Sequence, residues 1–289
     1  MKNIAKSILL VSGIVVTLLF TGTVLGYASN NEDGNGTHEN PIAVVSQQPG
    51  FCSIFRSWGF IGDSLCSGEH EYHKSDGSKG YADLYEYSWG QFICYATGAK
   101  GDNYSQGGET ARGWIERFWN NPKNRNNNID AKAEPKQAYI IALGVNDTYK
   151  KHPVGNVESD INKDDYTQNA QTYTGCYAGI IQRIQSIQPD AKIFVVTRPK
   201  EESTNEAYNE VVRRMSDIFE NVYVIDLYKY APSYNKEDYF RSKYFMGGHL
   251  NAAGYQYTAW MFMTYIDWII RHNLKDFEQV AFIGTDYKY

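Results

Sequence analysis

Four residues far apart in the chain are of the types that carry out acyl transfer: Ser64, Gly108, Asn146 and His249. Ser64 follows an apolar run (Trp58, Phe60, Ile61) that stops at Gly62, which puts a hydroxyl at the end of a short buried strand. Serine is a poor nucleophile at its own pKa and needs a neighbouring base. His249, in Gly-His-Leu-Asn just ahead of a helical apolar pattern, offers an imidazole for that duty. A tetrahedral intermediate also needs donors aimed at its oxyanion. Gly107-Gly108-Glu109-Thr110 leads a loop into a helix start, where backbone N–H groups lack intrahelical partners. Gly144-Val145-Asn146-Asp147 places an amide side chain after the apolar run Ala138–Leu143. Taken singly, each is an ordinary turn or cap. The four in this order point to acyl transfer.

The elements that must position them read as strands alternating with helices. Continuous apolar runs at 58–61, 138–143, 192–197 and 222–225 are strands buried on both faces. Helical spacing marks segments within 80–98, at 110–119, 166–188, 206–219 and 251–272, with Gly101–Gly108 read as a loop. This alternation predicts a single three-layer α/β/α domain around a central parallel sheet. In such sheets the carboxyl ends of strands face the crevice that holds chemistry. Asp63 and Asp147 are expected to bond loop amides, and Cys66 to be packed.

Composition narrows the class. The chain has 289 residues, 42% of them hydrophobic and 21% charged, as a folded globular protein does. Its formal charge is -5, and removing residues 1–28 takes away Lys2 and Lys6 but no acid, which makes it two units more negative. With no basic stripe, a nucleic acid is not an expected partner. Lys2 and Lys6 precede an apolar run, and Gly26-Tyr27-Ala28 suits cleavage, so residues 1–28 read as a signal peptide or a signal anchor. Membrane anchoring through residues 7–26 is the alternative to cleavage. Residues 29–50 read as a polar linker or arm, and 51–289 as the domain. The expected location is extracytoplasmic, secreted or held at the cell surface. Cys52, Cys66, Cys94 and Cys176 have irregular spacing and form no metal pattern, though disulfides are open to them in that compartment. His70-Glu71-Tyr72-His73 lacks a third ligand at sensible spacing and reads as a solvated loop rather than a metal site. No metal or cofactor is called for.

The chain resembles the GDSL family, also called SGNH hydrolases, from Ile54 to about His272. Gly62-Asp63-Ser64-Leu65 matches the first block, Gly108 the second-block glycine, Asn146 in Gly-Val-Asn-Asp the third-block asparagine, and His249 the fifth-block histidine. The resemblance implies a flavodoxin-like fold, Ser64 as nucleophile and His249 as base. It also implies an oxyanion hole from the Ser64 and Gly108 amides and the Asn146 side chain. One position departs: the family usually has Asp three residues before the histidine, and here Met246 stands there. Methionine is at best a weak acceptor. A main-chain carbonyl near Met246 is therefore expected to orient the imidazole, with Asp226, Glu237 and Asp238 as the carboxylate alternatives. Asn146-Asp147-Thr148 is also a glycosylation sequon, and a glycan there would destroy the oxyanion hole, which suits a bacterial source.

The expected activity is an extracytoplasmic serine esterase for short acyl esters, acetyl foremost. The 24 Tyr and 6 Trp, among them Trp89, Trp114, Trp119 and Trp260, favour an acetylated carbohydrate as substrate. A lipase or acyltransferase of the same fold is the enzymatic alternative. A catalytically impaired carbohydrate-binding surface protein is the other, and Met246 is the feature in its favour.

Overall fold

Along the first strand Trp58 and Phe60 face one way and Ile61 the other, and the same alternation recurs in its neighbours. A computed structural model describes residues 39–122, 130–201, 205–232, 234 and 238–287. The chain runs β1 (Ser57–Gly62), α1 (Ser64–Ser67), β2 (Glu69–His73), β3 (Lys79–Asp83), α2 (Trp89–Thr97) and β4 (Lys100–Ser105). Next come α3 (Ala111–Trp114), widening into a π turn over Ile115–Asn120, then β5 (Ala138–Ala142), α4 (Val145–Tyr149) and α5 (Tyr173–Ile187). The last part holds β6 (Lys192–Val196), α6 (Glu206–Ile218), β7 (Val222–Ile225), α7 (Leu227–Tyr230) and α8 (Asp238–Tyr244). It closes with β8 (Phe245–Met246), β9 (His249–Leu250), α9 (Ala252–His272) and α10 (Leu274–Phe277).

Five strands form one parallel sheet in the order β4-β1-β5-β6-β7. Trp58, Phe60, Ile140 and Phe194 pack on one face with α2 and α9. Ile61, Tyr139, Ile141, Ile193 and Val195 pack on the other with α3, α5 and α6. A strand buried on both faces must be apolar throughout, which is why these runs lack polar alternation. From β1 the chain passes to β4 on one side and then to β5 on the other. The carboxyl ends of β1 and β5 therefore flank a topological switch point, where α/β sheets open a crevice. Ser64 and Asn146 follow those two strands.

The segment at 40–51 lies along α9. Ile42 is buried, the Ser46 amide donates to Thr264 Oγ1 at 2.9 Å, and the Phe51 amide to Asp267 Oδ1 at 2.7 Å. The readings of residues 1–28 and of the apolar stretch 7–26 lie outside the described residues. Among the described residues no helix is long and apolar enough to cross a membrane.

Four readings are corrected. Lys100–Ser105 is an edge strand rather than part of a loop; its Lys-Gly-Asp-Asn start carries no apolar signal. His70–His73 belongs to a strand, paired antiparallel with β3, rather than to a loop. Within 80–98 only Trp89–Thr97 is α-helix, started by Ser88, whose hydroxyl accepts from the Gln91 amide. The helix placed at 166–188 begins at Tyr173, where Thr172 caps it, and Asp165 caps a separate short turn before it. All four cysteines are free and buried.

Candidate active site

The turn from β1 into α1 is tight because Gly62 is bare: a Cβ there would overlap the Cys66 side chain. Asp63 caps α1 by accepting from the Leu65 amide at 3.0 Å, and Asn103 Nδ2 holds the Cys66 carbonyl at 2.9 Å. Ser64 thus stands at the first helical position, half-buried, with an amide free of any intrahelical partner. Its neighbour Cys66 is no rival nucleophile, since burial pushes the thiol well above its ordinary range.

Gly108 has φ +72°, a conformation glycine adopts without strain. Lys150 Nζ donates to its carbonyl at 3.0 Å, while its own amide has no protein partner among the described residues. The next residue, Glu109, is fully buried. It accepts from the Thr110 amide at 2.9 Å and takes a two-pronged ion pair from Arg117, at 2.9 and 2.5 Å.

Asn146, second in α4, ties the two loops together. Its Nδ2 donates to the Glu109 carbonyl at 3.0 Å and faces Asp63 Oδ2 at 3.5 Å. One N–H is committed and the second is only weakly engaged. Asp147 accepts from the Ala111 amide at 3.1 Å, with His152 Nδ1 at 3.1 Å from its other oxygen. Both aspartates therefore hold amides in the first turn of a helix, α1 and α3, rather than loop amides.

Burial above all, with the Leu65 amide opposing and Asp147 reinforcing, raises the Asp63 carboxyl from 3.8 to about 7. An unfolded aspartate loses its proton near pH 4. Between there and pH 7 the folded state binds more protons, so this group's contribution to stability falls as pH rises. The melting temperature of Asp63→Asn, which keeps an acceptor for Leu65, is expected to fall less steeply than that of wild type from pH 5 to 8. Parallel curves would show that Asp63 does not hold its proton.

His249 sits in the hairpin of β8 and β9, directly opposite Met246. That hairpin is fastened from β2. Glu71 Oε2 accepts from the Gly248 amide at 3.1 Å while its Oε1 pairs with Lys79 at 2.7 Å. The Lys79 bond first, then the Gly248 amide, hold the Glu71 carboxyl below its ordinary range. Two residues earlier on the same strand face, Glu69 Oε1 lies 2.9 Å from His249 Nε2. The Glu69 carbonyl is in turn held by Tyr255 Oη at 2.6 Å. The ring's other nitrogen, Nδ1, is buried and has no hydrogen-bond partner among the described residues. The Tyr81 ring, half exposed, approaches the imidazole edgewise at 5.5 Å.

A carboxylate, then, and not a main-chain carbonyl, meets the imidazole. It is none of the three considered. Asp226 is spent on Thr197 and Arg213, while Glu237 and the side chain of Asp238 lie outside the described residues. Period-2 spacing of Glu69 and Glu71, followed by the turn pair Asp76-Gly77, was the available signal. Ser64 Oγ makes no hydrogen bond to His249, although α1 packs on β9. Among the described residues no cluster of ligands suits a metal. Trp89, Trp114 and Trp119 are buried in the core and offer no platform for a sugar.

Fold and site together define a three-layer α/β ester hydrolase. Residues 60–257 match the model of the GDSL-like Lipase/Acylhydrolase family, and the chain belongs to that family. No curated protein sequence matches the chain. One crystal structure is 22% identical over 75% of this chain and 98% of its own, with a TM-score of 0.55. A protein from Lactobacillus plantarum is 16% identical over 74% and 97%, with a TM-score of 0.51. An acetyl xylan esterase (Est2A) from the rumen bacterium Butyrivibrio proteoclasticus is more distant, 17% identical over 77% and 65%, with a TM-score of 0.49. Identities this low speak to the fold alone.

Proposed function

We propose that the protein releases short acyl groups, acetyl foremost, from carbohydrate hydroxyls outside the cytoplasm. Ser64 attacks the ester carbon while His249 takes its proton. The carbonyl electrons move to oxygen, where the Ser64 and Gly108 amides and the second Asn146 N–H are the donors. Collapse expels the sugar alkoxide, which recovers the proton from His249, and water then frees the acid by the same steps.

The observation that carries the acyl preference is an apolar cavity of about 60 Å³ lined by Asp63, Leu65, Val145, Val196, Arg198 and Leu250, among others. Its walls include Asp63, Leu65, Val145 and Leu250, next in the chain to Ser64, Asn146 and His249, which do not themselves line it. A dry apolar cavity of about 150 Å³ takes a benzene ring, so this one has room for only a few carbons. Tyr81 supports the carbohydrate side, since an exposed ring next to the base suits stacking on a sugar face. The extracytoplasmic location rests on the composition of residues 1–28.

The test is hydrolysis of p-nitrophenyl esters of rising chain length, alongside acetate release from acetylated xylo- and gluco-oligosaccharides. Efficiency is expected to fall at least about tenfold from butyryl to octanoyl, because chains beyond a few carbons forfeit burial in the cavity. Acetate release from the oligosaccharides is also expected. A preference for long chains sinks the acyl assignment and favours a lipase. Ester hydrolysis without any release from oligosaccharides sinks the carbohydrate assignment.

A further inference from the structure

We propose that the flank of the molecule between α3 and α5 carries a second binding site, for an oxyanion, held by Arg183 and Arg112. The inference goes beyond the esterase reading and does not rest on it.

A polar pocket of about 280 Å³ opens where the π turn after α3 meets α5 and the turn Tyr166–Gln168. Its lining includes Arg112, Glu116, Asn120, Tyr166, Asn169 and Arg183. A cavity of about 150 Å³ takes a benzene ring, so this one has room for a phosphate, a sulfate or one sugar acid. A π turn is an uncommon widening of a helix that recurs at functional sites. Here it supplies Ile115, Glu116 and Asn120 to the pocket.

Arg183 carries the argument. It is only 8% exposed, yet among the described residues no carboxylate pairs with it. Its Nη1 donates to the Gly179 carbonyl at 2.8 Å, the guanidinium lies 4.5 Å from the centre of the Tyr166 ring, and Nε is buried with no partner. A guanidinium has five N–H donors and keeps its charge in proteins. Burial holds this one below its ordinary range, against the opposing influence of Tyr166, Cys176 and Glu116. A buried charge without a counterion is costly, and one aromatic ring offsets part of that cost. Arg112, in α3, is the second cation, exposed and unpaired among the described residues. The carboxylate in the lining, Glu116, is exposed and accepts from Asn120 at 3.4 Å rather than from either arginine. Two unpaired guanidiniums around one polar pocket complement a carboxylate, sulfate or phosphate group, whose oxygens match the fork of N–H donors.

The fold holds the pocket open in this shape. Gly179 is bare, and a Cβ there would come 2.9 Å from Arg183 Nη1. Asn169 Nδ2 donates to the Gly175 carbonyl at 2.9 Å and to Gln182 Oε1 at 2.8 Å, while Gln182 Nε2 donates to the Asn162 carbonyl at 2.7 Å. These bonds fasten the wall of the pocket to α5. Tyr173, at the start of α5, reaches the Leu143 carbonyl just past β5. Arg183 follows ten residues later, about 15 Å along the helix from the catalytic end of the sheet. A smaller recess of about 90 Å³ shares Arg112, Gln171 and Cys176 with the pocket and reaches Asp147, the neighbour of Asn146. A ligand longer than one group has a polar path from the arginines towards that residue.

Isothermal titration of the full chain, in a buffer low in chloride, tests the site. The probes are sodium phosphate, sodium sulfate, trigalacturonate and, as a neutral control, xylotriose. Phosphate and sulfate stabilise any fold by exclusion from its surface, so the readout is saturable heat rather than a rise in melting temperature. One-to-one binding of at least one anionic probe is expected. Phosphate or sulfate binding without trigalacturonate marks a free inorganic anion as the ligand, and trigalacturonate binding most tightly marks a sugar acid. Arg183→Met is expected to weaken binding at least about tenfold, as for truncation of a buried charged partner. Arg112→Gln is expected to weaken it less, since its charge is exposed and screened. Without any probe, Arg183→Met is expected to melt at or above wild type, because an unpaired buried charge has been removed. Should that variant fail to fold, Arg183→Lys decides, because it keeps the charge and loses the fork; its affinity is expected to be clearly below wild type. No saturable binding of any anion, xylotriose binding as tightly as trigalacturonate, or unchanged affinity in the Arg183 variants overturns the proposal. Ser64→Ala is expected to bind the anion as wild type does, so a failure of the esterase reading and a failure of this one are told apart.

Discussion

Ser64→Ala is expected to reduce ester hydrolysis by roughly 10⁴- to 10⁶-fold, the range seen when a serine nucleophile is removed from a base-assisted site. No neighbouring group can take over. Cys66 is fully buried with its thiol driven upward, and Ser67 Oγ lies 2.5 Å from Asp83 Oδ1, away from the base. The fold should not notice the change. Ser64 Oγ makes no hydrogen bond among the described residues, and the cap of α1 belongs to Asp63. The melting temperature of the variant is thus expected to match wild type while acetate release vanishes. That pairing separates lost chemistry from lost structure. Activity within tenfold of wild type would sink the serine mechanism, whatever else the site does.

How far the sequence foretold this site follows from where each residue draws its contacts. The inner strands were legible because a strand buried on both faces has to be apolar at every position, as Ala138–Ile141 and Ile193–Val196 are. The places of Ser64 and Asn146 were legible for a related reason, since they follow the buried strands β1 and β5, and His249 stands just ahead of the apolar pattern of α9. The edge strand β4 was not, since its exposed half needs no apolar residues and reads as Lys-Gly-Asp-Asn. The β2–β3 hairpin escaped because charged residues alternate with His and Tyr along it, which looks like a solvated loop when its packing partner is unknown. That partner is the histidine hairpin 180 residues downstream, the span from Glu69 to His249. Local pattern cannot report a contact over that distance. Met246 was visible as a missing acid, and the Glu69 carboxylate beside His249 was not.

Arg117→Ala is expected to destabilise the domain by about 3 kcal/mol, the low end of what breaking a buried pair costs. The reason lies with its partner. Glu109 is fully buried, and Arg117 supplies both prongs of its ion pair, at 2.9 and 2.5 Å, leaving only the Thr110 amide once the guanidinium is gone. Arg117 itself is 43% exposed in its side chain, so water can reach part of the vacated space. That partial screening is why the low end applies. For a chain of this size, 3 kcal/mol lowers the melting temperature by about 6–12 °C. Activity should fall as well, because the Glu109 carbonyl is what Asn146 Nδ2 grips and the Gly108 amide lies one residue away. Adding Glu109→Gln removes the stranded charge, and the double variant is expected to recover part of the lost stability. The decisive comparison is between the single and double variants by thermal melting. If Arg117→Ala melts within 2 °C or so of wild type, a smaller drop than a broken buried pair allows, the pair is not what holds the Gly108 loop in place.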